Sequence, residues 1–291
     1  MAIGETQHEA RKVPPGLHFL ATPIGTARDI TLRALDILAG ADVLAAEDTR
    51  TLRHLMEIHG VPLAGRQVLA YHDHNGAAMR PRLLAALSDG KSVAYASEAG
   101  TPLVADPGYQ LVRAAIAAGY PVHTAPGPSA VLAALTVSGL PSDRFLFAGF
   151  APAAAGARRR FLQELGSVPA TLILFESPKR ISRLLTEMCE GLGRDRAAVV
   201  CRELTKRFEE VSRGSLGDLA LAFRDRDVKG EIVVLVDRAG DVTVSDGDLD
   251  QALEHAMATM SIKDAVALVS TNLGMARRDV YQAALKRGQA E

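Results

Sequence analysis

Two cysteines, Cys189 and Cys201, are all that 291 residues contain. That excludes a disulfide framework and suits a reducing compartment, so a cytoplasmic location is expected. Tryptophan is absent and aromatic residues make up only 4%, so a base-stacking platform is not expected to dominate any recognition. Neither charge sign prevails: the formal net charge is −1 at pH 7. Attachment to nucleic acid by bulk charge alone is thereby excluded, while local basic patches stay open. Residues 1–12 are polar and of mixed charge, without the basic-then-apolar order of a signal peptide. Residues 114–142 lack Lys, Arg, Asp and Glu, but Gly119, Pro121, Pro126, Gly127 and Pro128 cut them into pieces too short to span a bilayer. Neither the G-x-G-x-x-G dinucleotide fingerprint nor a Walker sequence occurs.

What is present is an ordinary globular composition, 48% hydrophobic and 23% charged. The length suits roughly two domains with a small appendage. Short apolar runs at 17–22, 42–46, 67–71, 92–96 and 121–124 read as strands, and 30–39, 77–87, 109–118 and 129–137 read as helices. Strands of four to six residues alternating with helices predict βαβ units and a mostly parallel sheet. The texture then changes. Strands are expected at 144–150, 171–175, 197–201, 208–213 and 231–237, with helices only at 158–165, 178–191 and 215–223, after an alanine-rich loop at 151–157. Consecutive strands without a helix between them predict a mixed sheet. The domains are therefore placed at 16–126 and 127–239, after a polar tail at 1–15. A Gly/Asp/Ser-rich linker, 240–247, leads to a helical module at 248–291, with helices at 248–257, 262–271 and 277–286. Ser261 and an Asn272-Leu273-Gly274 turn separate those three helices.

Several strand ends carry chemistry. Thr22-Pro23-Ile24-Gly25 closes the first strand, and a Gly/Pro turn there lets a ligand approach the backbone at the carboxyl edge of a parallel sheet. Residues 97–108, from Ser97-Glu98-Ala99-Gly100-Thr101 to Pro107-Gly108, form a connection far longer than the usual βα loop, and long loops in compact domains tend to be functional. Pro126-Gly127-Pro128-Ser129-Ala130 is a third such strand end. Glu47-Asp48-Thr49-Arg50 offers carboxylates and a cation to orient a substrate, or simply a helix cap at Asp48 or Thr49. His72-Asp73-His74-Asn75 has metal-ligand types but too few of them, so a substrate-facing loop is expected and no metal. Glu176 ends one strand, and Cys201-Arg202-Glu203-Leu204-Thr205-Lys206 ends another. Arg158, Arg159, Arg160, Lys179, Arg180 and Arg183 form a basic cluster suited to phosphates, as do Arg277 and Arg278 at the last helix; solvated or docking helix faces are the alternatives.

In this order, together with Phe175-Glu176-Ser177, the motifs resemble the ribosomal RNA small subunit methyltransferase I family, over nearly the whole chain. The resemblance implies the tetrapyrrole-methylase fold: two α/β domains with S-adenosylmethionine in the cleft between them. It implies 2′-O-methylation of a cytidine in the decoding region of 16S ribosomal RNA, a homodimer, and a C-terminal helix-turn-helix-like module. No membrane or DNA partner is expected. Carried onto matching positions, the cofactor contacts are Pro23, Ala99, Gly100, Thr101, Val104, Ser129, Ala130, Glu176 and Leu204. Thr26 stands where the family commonly has Asn, and Glu98 where it commonly has Asp, which keeps the carboxylate but lengthens its reach.

From their strand-end placement, Asp48 and Glu176 are expected as base or orienting group and Lys206 as the cation favouring a developing oxyanion. Arg50, His72, His74, Arg158, Arg159, Arg160, Arg180, Arg277 and Arg278 are expected to hold the RNA. Methylation of a tetrapyrrole or other small metabolite is one alternative. A non-catalytic ribosome-assembly protein is another, though it has no need of three cofactor-type loops.

Overall fold

The computed structural model describes residues 12–105, 107–239, 246–273 and 277–288. Most of the polar tail, residues 240–245 of the expected linker, Asp106 and Gly274 lie outside the described residues. The first domain holds a five-stranded parallel sheet, in the order β3-β2-β4-β1-β5. Its strands are β1 (Gly16–Leu20), β2 (Val43–Ala46), β3 (Val68–Ala70), β4 (Ser92–Ala96) and β5 (Val122–Ala125).

Side-chain alternation sorts the two faces of this sheet. Leu20, Leu44, Ala46, Ala94 and Ala96 pack under α1 (Leu32–Gly40) and α2 (Thr49–Ile58). Leu17, Phe19, Ala45, Val93 and Tyr95 pack under α3 (Gly76–Ser88) and α4 (Tyr109–Ala117). The chain moves one way along the sheet from β1 to β3 and the other way from β3 to β5. Right-handed crossovers then put the two helix pairs on opposite faces. The neighbours β4 and β1 send their connections in opposite directions, which opens a crevice at their carboxyl ends.

The second domain has a mixed five-stranded sheet, β6-β7-β10-β8-β9. Its strands are β6 (Phe145–Phe150), β7 (Thr171–Glu176), β8 (Ala197–Arg202), β9 (Glu210–Ser215) and β10 (Ile232–Val236); only β6 and β7 run parallel. Leu172, Leu174, Val200 and Val234 face α6 (Ala155–Gly166), α7 (Ile181–Leu192) and α8 (Leu216–Ala222). The opposite residues, Ile173, Val199, Cys201 and Val233, pack against Val131, Ala134 and Leu135 of α5 (Ala130–Ser138) and against Ile24 of the first domain. The expected fold class, a parallel-sheet α/β domain followed by a mixed-sheet domain and a helical module, is the one observed.

Three helices, α9 (Asp246–Met257), α10 (Ile262–Leu273) and α11 (Arg277–Gly288), close on a core of their own that includes Leu253, Val266, Val269 and Val280. Ser261 caps α10 by accepting the Asp264 N–H.

Several element boundaries differ from the sequence reading. α2 was given no range in the sequence reading, but the helix cap weighed at Asp48 is its start, and Leu52, Leu55 and Met56 keep helical spacing and are buried. α6 begins at Ala155 inside the expected alanine-rich loop, because alanine is a strong helix former. α7 begins only at Ile181, after a turn closed by Arg180 N–H on the Ser177 carbonyl. β9 begins at Glu210 because Arg207 and Phe208 sit in a turn. α10 runs through Asn272 and Leu273, the first two residues of the expected turn.

Candidate active site

The strand ends of both sheets meet around one cavity of about 510 Å³. From the first domain it is lined by Ile24 after β1, Glu47 after β2, Glu98, Ala99, Gly100, Thr101, Val104 and Ala105 after β4, and Ser129 and Ala130 before α5. From the second come Phe150, Phe175, Glu176, Ser177, Pro178, Cys201 and Leu204 at or beyond the ends of β6, β7 and β8, and residues 230–233 at the start of β10. Because β10 is antiparallel, with Ile232 opposite both Glu176 and Arg202, its first residues lie at the same edge as the last residues of β7 and β8.

Hydrogen bonds stitch the first domain's loops together. Thr22 and Gly100 exchange both backbone bonds at 3.0 Å. Ser97 Oγ donates to the Gly100 carbonyl at 2.6 Å, and Thr101 Oγ1 to the Pro128 carbonyl at 2.9 Å. Gly100 has φ +81°, a conformation that suits a residue without Cβ. Two apolar lining residues are each held between left-handed neighbours: Val104 between Leu103 (φ 71°) and Ala105 (φ 58°), Leu204 between Glu203 (φ 51°) and Thr205 (φ 63°). Such strain costs on the order of 1–3 kcal/mol per residue and gathers at functional sites.

The ionisable lining is wholly acidic: Glu47, Glu98, Glu176 and Glu231, with no Lys, Arg or His among the lining residues. Glu47 Oε2 accepts the Glu98 backbone N–H at 3.3 Å. Glu176 is 3% exposed, and its Oε1 accepts the Ser177 N–H at 2.7 Å. Its Oε2 lies 3.1 Å from Arg180 Nη2 but has no aligned hydrogen-bond donor. Burial pushes the Cys201 thiol up to about 11.

Of the expected cofactor residues, Ala99, Gly100, Thr101, Val104, Ser129, Ala130, Glu176 and Leu204 all line this cavity. Pro23 does not; its neighbour Ile24 does. Glu47, one of the two carboxylates read in the Glu47-Asp48-Thr49-Arg50 motif, lines the cavity as well, and Phe150 and Glu231 are lining residues that the sequence reading did not single out. Glu47 and Phe150 each stand at a strand end, which was the available signal; Glu231 precedes an antiparallel strand, so that rule misses it.

Other expected residues are placed differently. Asp48 lies outside the lining and caps α2, accepting the Arg50 N–H at 2.7 Å and the Thr51 N–H at 3.4 Å. Its hydrogen bonds from the Arg50 side chain and backbone hold its carboxyl at about 2, which makes it a poor proton acceptor. Lys206 is also engaged, donating to Glu203 at 2.9 Å and Glu231 at 3.0 Å. Burial pulls its ammonium down, but those two carboxylates outweigh burial and it titrates above its ordinary value.

Arg158 is turned inward, 2% exposed, forked onto Glu187 and bonded to the carbonyls of Pro152 and Ala153, so it offers nothing to a phosphate. Arg159 and Arg160, by contrast, are exposed. Arg180 is half-buried between Glu176 and the Ala151 carbonyl. Arg50 is exposed and paired with Asp48. His72 and His74 stand 6.0 Å apart, ring to ring, and His72 Nδ1 has no hydrogen-bond partner. Arg277 and Arg278 are exposed on α11. Among the described residues no group of three or more His, Cys, Asp or Glu is placed to hold a metal ion, and no helix is long and apolar enough to cross a membrane.

Comparison with known proteins agrees with this architecture. Residues 16–220 match the family model for tetrapyrrole (corrin/porphyrin) methylases, and 243–288 match that for the RsmI C-terminal HTH domain. The fold is similar to a cobalt precorrin-4 methyltransferase of cobalamin biosynthesis (TM-score 0.57, 21% identity, 76% of this chain and 94% of that one). It is also similar to the methyltransferase CobJ (TM-score 0.60, 19% identity, 79% and 97%). The chain belongs to the tetrapyrrole methylase family.

Within it, the chain is 48% identical to the ribosomal RNA small subunit methyltransferase I of Mesorhizobium japonicum, over 98% of this chain and 96% of that one. It is 39% identical to the protein of the same name from Escherichia coli O157:H7, over 97% and 99%. The chain is therefore a member of the ribosomal RNA small subunit methyltransferase I family, as its motifs had indicated.

Proposed function

We propose that this chain transfers a methyl group from S-adenosylmethionine to the ribose 2′-oxygen of a cytidine in the decoding region of 16S ribosomal RNA. The observation that carries the reading is the cavity enclosed by loops of both sheets, its lining among the described residues holding carboxylates and no Lys, Arg or His. Its volume of about 510 Å³ is that of a small-molecule site. Carboxylates on both walls, two of the four paired with Arg180 and Lys206, suit a ligand of net positive charge, and the buried Glu176 Oε2, without an aligned hydrogen-bond donor, suits a ligand that brings one. The residues present thus fit the cofactor.

Bound S-adenosylmethionine supplies an electrophilic methyl group on sulfur. The protein supplies the geometry. Ala99, Gly100, Thr101, Val104, Ser129, Ala130 and Leu204 would hold the cofactor, with Glu176 taking a donor from it. The acceptor oxygen must be held in line with the methyl carbon, and such orientation accounts for about 7–11 kcal/mol of barrier in well-aligned reactions. With Asp48 committed to the α2 cap, the carboxylates left to orient the acceptor are those of the cavity lining, Glu47, Glu98 and Glu231 beside Glu176. On the opposite wall Lys206 bridges Glu203 and Glu231. Arg50, Arg159, Arg160, Arg277 and Arg278 would hold phosphates, with His72 and His74 beside the nucleotide.

The reading includes the small ribosomal subunit as partner, a cytoplasmic location, and a homodimer, for which the exposed Leu132, Phe145 and Leu146 supply apolar surface. Incubating the protein with labelled cofactor and unmodified 30S subunits, then mapping ribose methylation, tests it. A 2′-O-methylcytidine in the decoding region is the expected result. Labelling of porphyrinoid precursors but not of subunits would overturn the reading, as would no cofactor binding at millimolar concentration by calorimetry.

A further inference from the structure

The segment that carries Leu204 into the cavity ends in a tight turn, closed by the Glu209 N–H on the Lys206 carbonyl at 3.1 Å. Its two central residues are Arg207 and Phe208. Turn tips ordinarily carry Gly, Asn, Asp, Ser or Pro, each for a backbone reason. This one carries a phenylalanine 62% exposed, in a chain with few aromatic residues. The Arg207 guanidinium lies over its ring, 5.4 Å from the centroid.

The turn is anchored on both sides. The Thr205 N–H donates to Glu209 Oε2 at 2.6 Å, and Thr205 Oγ1 accepts the Thr26 N–H from the first domain at 3.3 Å. Lys206 Nζ bridges Glu203 and Glu231, and Glu231 lines the cavity. An exposed aromatic ring with a planar cation on a fixed turn, four residues beyond the cavity wall, needs a partner with a π-face and negative charge. An unpaired nucleotide has both. A protein surface can also use a ring with an arginine, but the turn's place beside the cavity of a ribosomal RNA methyltransferase family member favours the nucleotide.

We propose that Arg207 and Phe208 form a platform beside the cavity on which one unpaired base of the RNA substrate stacks, with Arg207 also contacting its backbone. The proposal rests on the RNA methyl-transfer reading above and adds the residues that seat the strand. Stacking positions the substrate; it takes no part in the methyl transfer itself.

The test measures methylation of unmodified 30S subunits and cofactor affinity for the unaltered protein and for Phe208→Ala, Phe208→Trp and Arg207→Gln. Phe208→Ala is expected to raise KM for the subunit about tenfold, the scale of one lost base–aromatic stack, with cofactor affinity unchanged and Phe208→Trp restoring it. Arg207→Gln is expected to raise KM and to lower the slope of log affinity against log salt by about one. Unchanged KM in both Phe208→Ala and Arg207→Gln overturns the platform. A change of sedimentation mass in Phe208→Ala that Phe208→Trp does not repair also overturns it, and assigns the ring to a contact between copies of the chain. Failure of the unaltered protein to methylate any RNA, with cofactor still bound, overturns the RNA reading and the platform with it.

Discussion

The Thr26 backbone N–H donates to Thr205 Oγ1 at 3.3 Å, joining the first turn of one sheet to the β8–β9 hairpin of the other across 179 residues of sequence. Gly25 makes this approach feasible. A Cβ there would overlap Thr205 Oγ1 and Lys206 Cγ and lie 3.0 Å from the Leu204 carbonyl. The hairpin that holds Leu204 in the cavity wall is thus fixed by a contact that tolerates only glycine.

Gly25→Ala is accordingly expected to push the hairpin away from the first domain while leaving both sheets intact. A displacement near 1 Å at a reacting site costs up to about 10²-fold in rate. The methylation rate should fall about ten- to a hundredfold, with an unchanged far-ultraviolet circular dichroism spectrum. A rate equal to that of the unaltered protein would show that the hairpin's position does not matter.

Arg158 is placed differently from its neighbours Arg159 and Arg160. Its guanidinium is buried and shared between Glu187 and two carbonyls, whereas Arg159 and Arg160 face solvent. Removing one partner of a buried ion pair leaves an uncompensated charge and costs about 3–5 kcal/mol. Arg158→Ala should lower the urea midpoint accordingly and leave the salt slope of RNA binding unchanged. Arg159→Ala with Arg160→Ala should do the reverse. The two measurements, denaturation and salt titration, distinguish these outcomes directly.

The strands were legible because an apolar run between turn residues reads the same in sequence and in structure. The cavity loops were legible because Gly, Pro and Ser cluster at strand ends, as in Gly100 and Ser129. Inward and outward cations were not legible: Arg158, Arg159 and Arg160 are identical in composition, and only the helical phase of α6 against α7 turns the first toward Glu187. The same holds for Glu47 and Asp48. One enters the cavity and its neighbour caps α2, a choice set by where the strand ends. Glu231 was missed because it acts from the amino end of an antiparallel strand, where a parallel-sheet rule gives no guidance.

Glu210 supplies an acid-sensitive element. Its carboxylate accepts from Arg226 Nη1 and Nη2 at 2.6 Å each and from Arg202 Nε at 3.1 Å. The Arg226 hydrogen bonds lead in holding its pKa down, from an ordinary 4.5 to about 2. A depressed folded-state value means that the stabilisation is fully present above the unfolded pKa. It is lost as pH falls from about 4.5 toward about 2. Because the site is partly solvated, the contribution is on the order of 1 kcal/mol. Glu210→Gln should therefore be less stable near pH 7 and approach the unaltered protein near pH 2 in urea titrations at each pH. A constant difference across that range would contradict the assignment.

Glu176 is a residue at which support of the fold and the proposed cofactor contact can be told apart. Its carboxylate is buried at the cavity wall, with Oε2 near Arg180 but without an aligned donor. A buried acceptor that lacks a hydrogen bond costs stability, and a bound donor recovers that cost. Glu176→Gln keeps an oxygen for the Ser177 N–H while removing the charge that a cationic ligand would use. Cofactor affinity by calorimetry should fall about tenfold, the scale of one hydrogen bond to a charged group. The melting temperature without cofactor should change little, because the Arg180 guanidinium that faces the lost charge is only half-buried and keeps the Ala151 carbonyl. An affinity loss at unchanged stability is a pattern that a merely structural glutamate would not produce: its replacement would lower the melting temperature and spare the affinity. A melting temperature that falls with affinity unchanged would assign Glu176 to the support of β7 and remove it from the cofactor site.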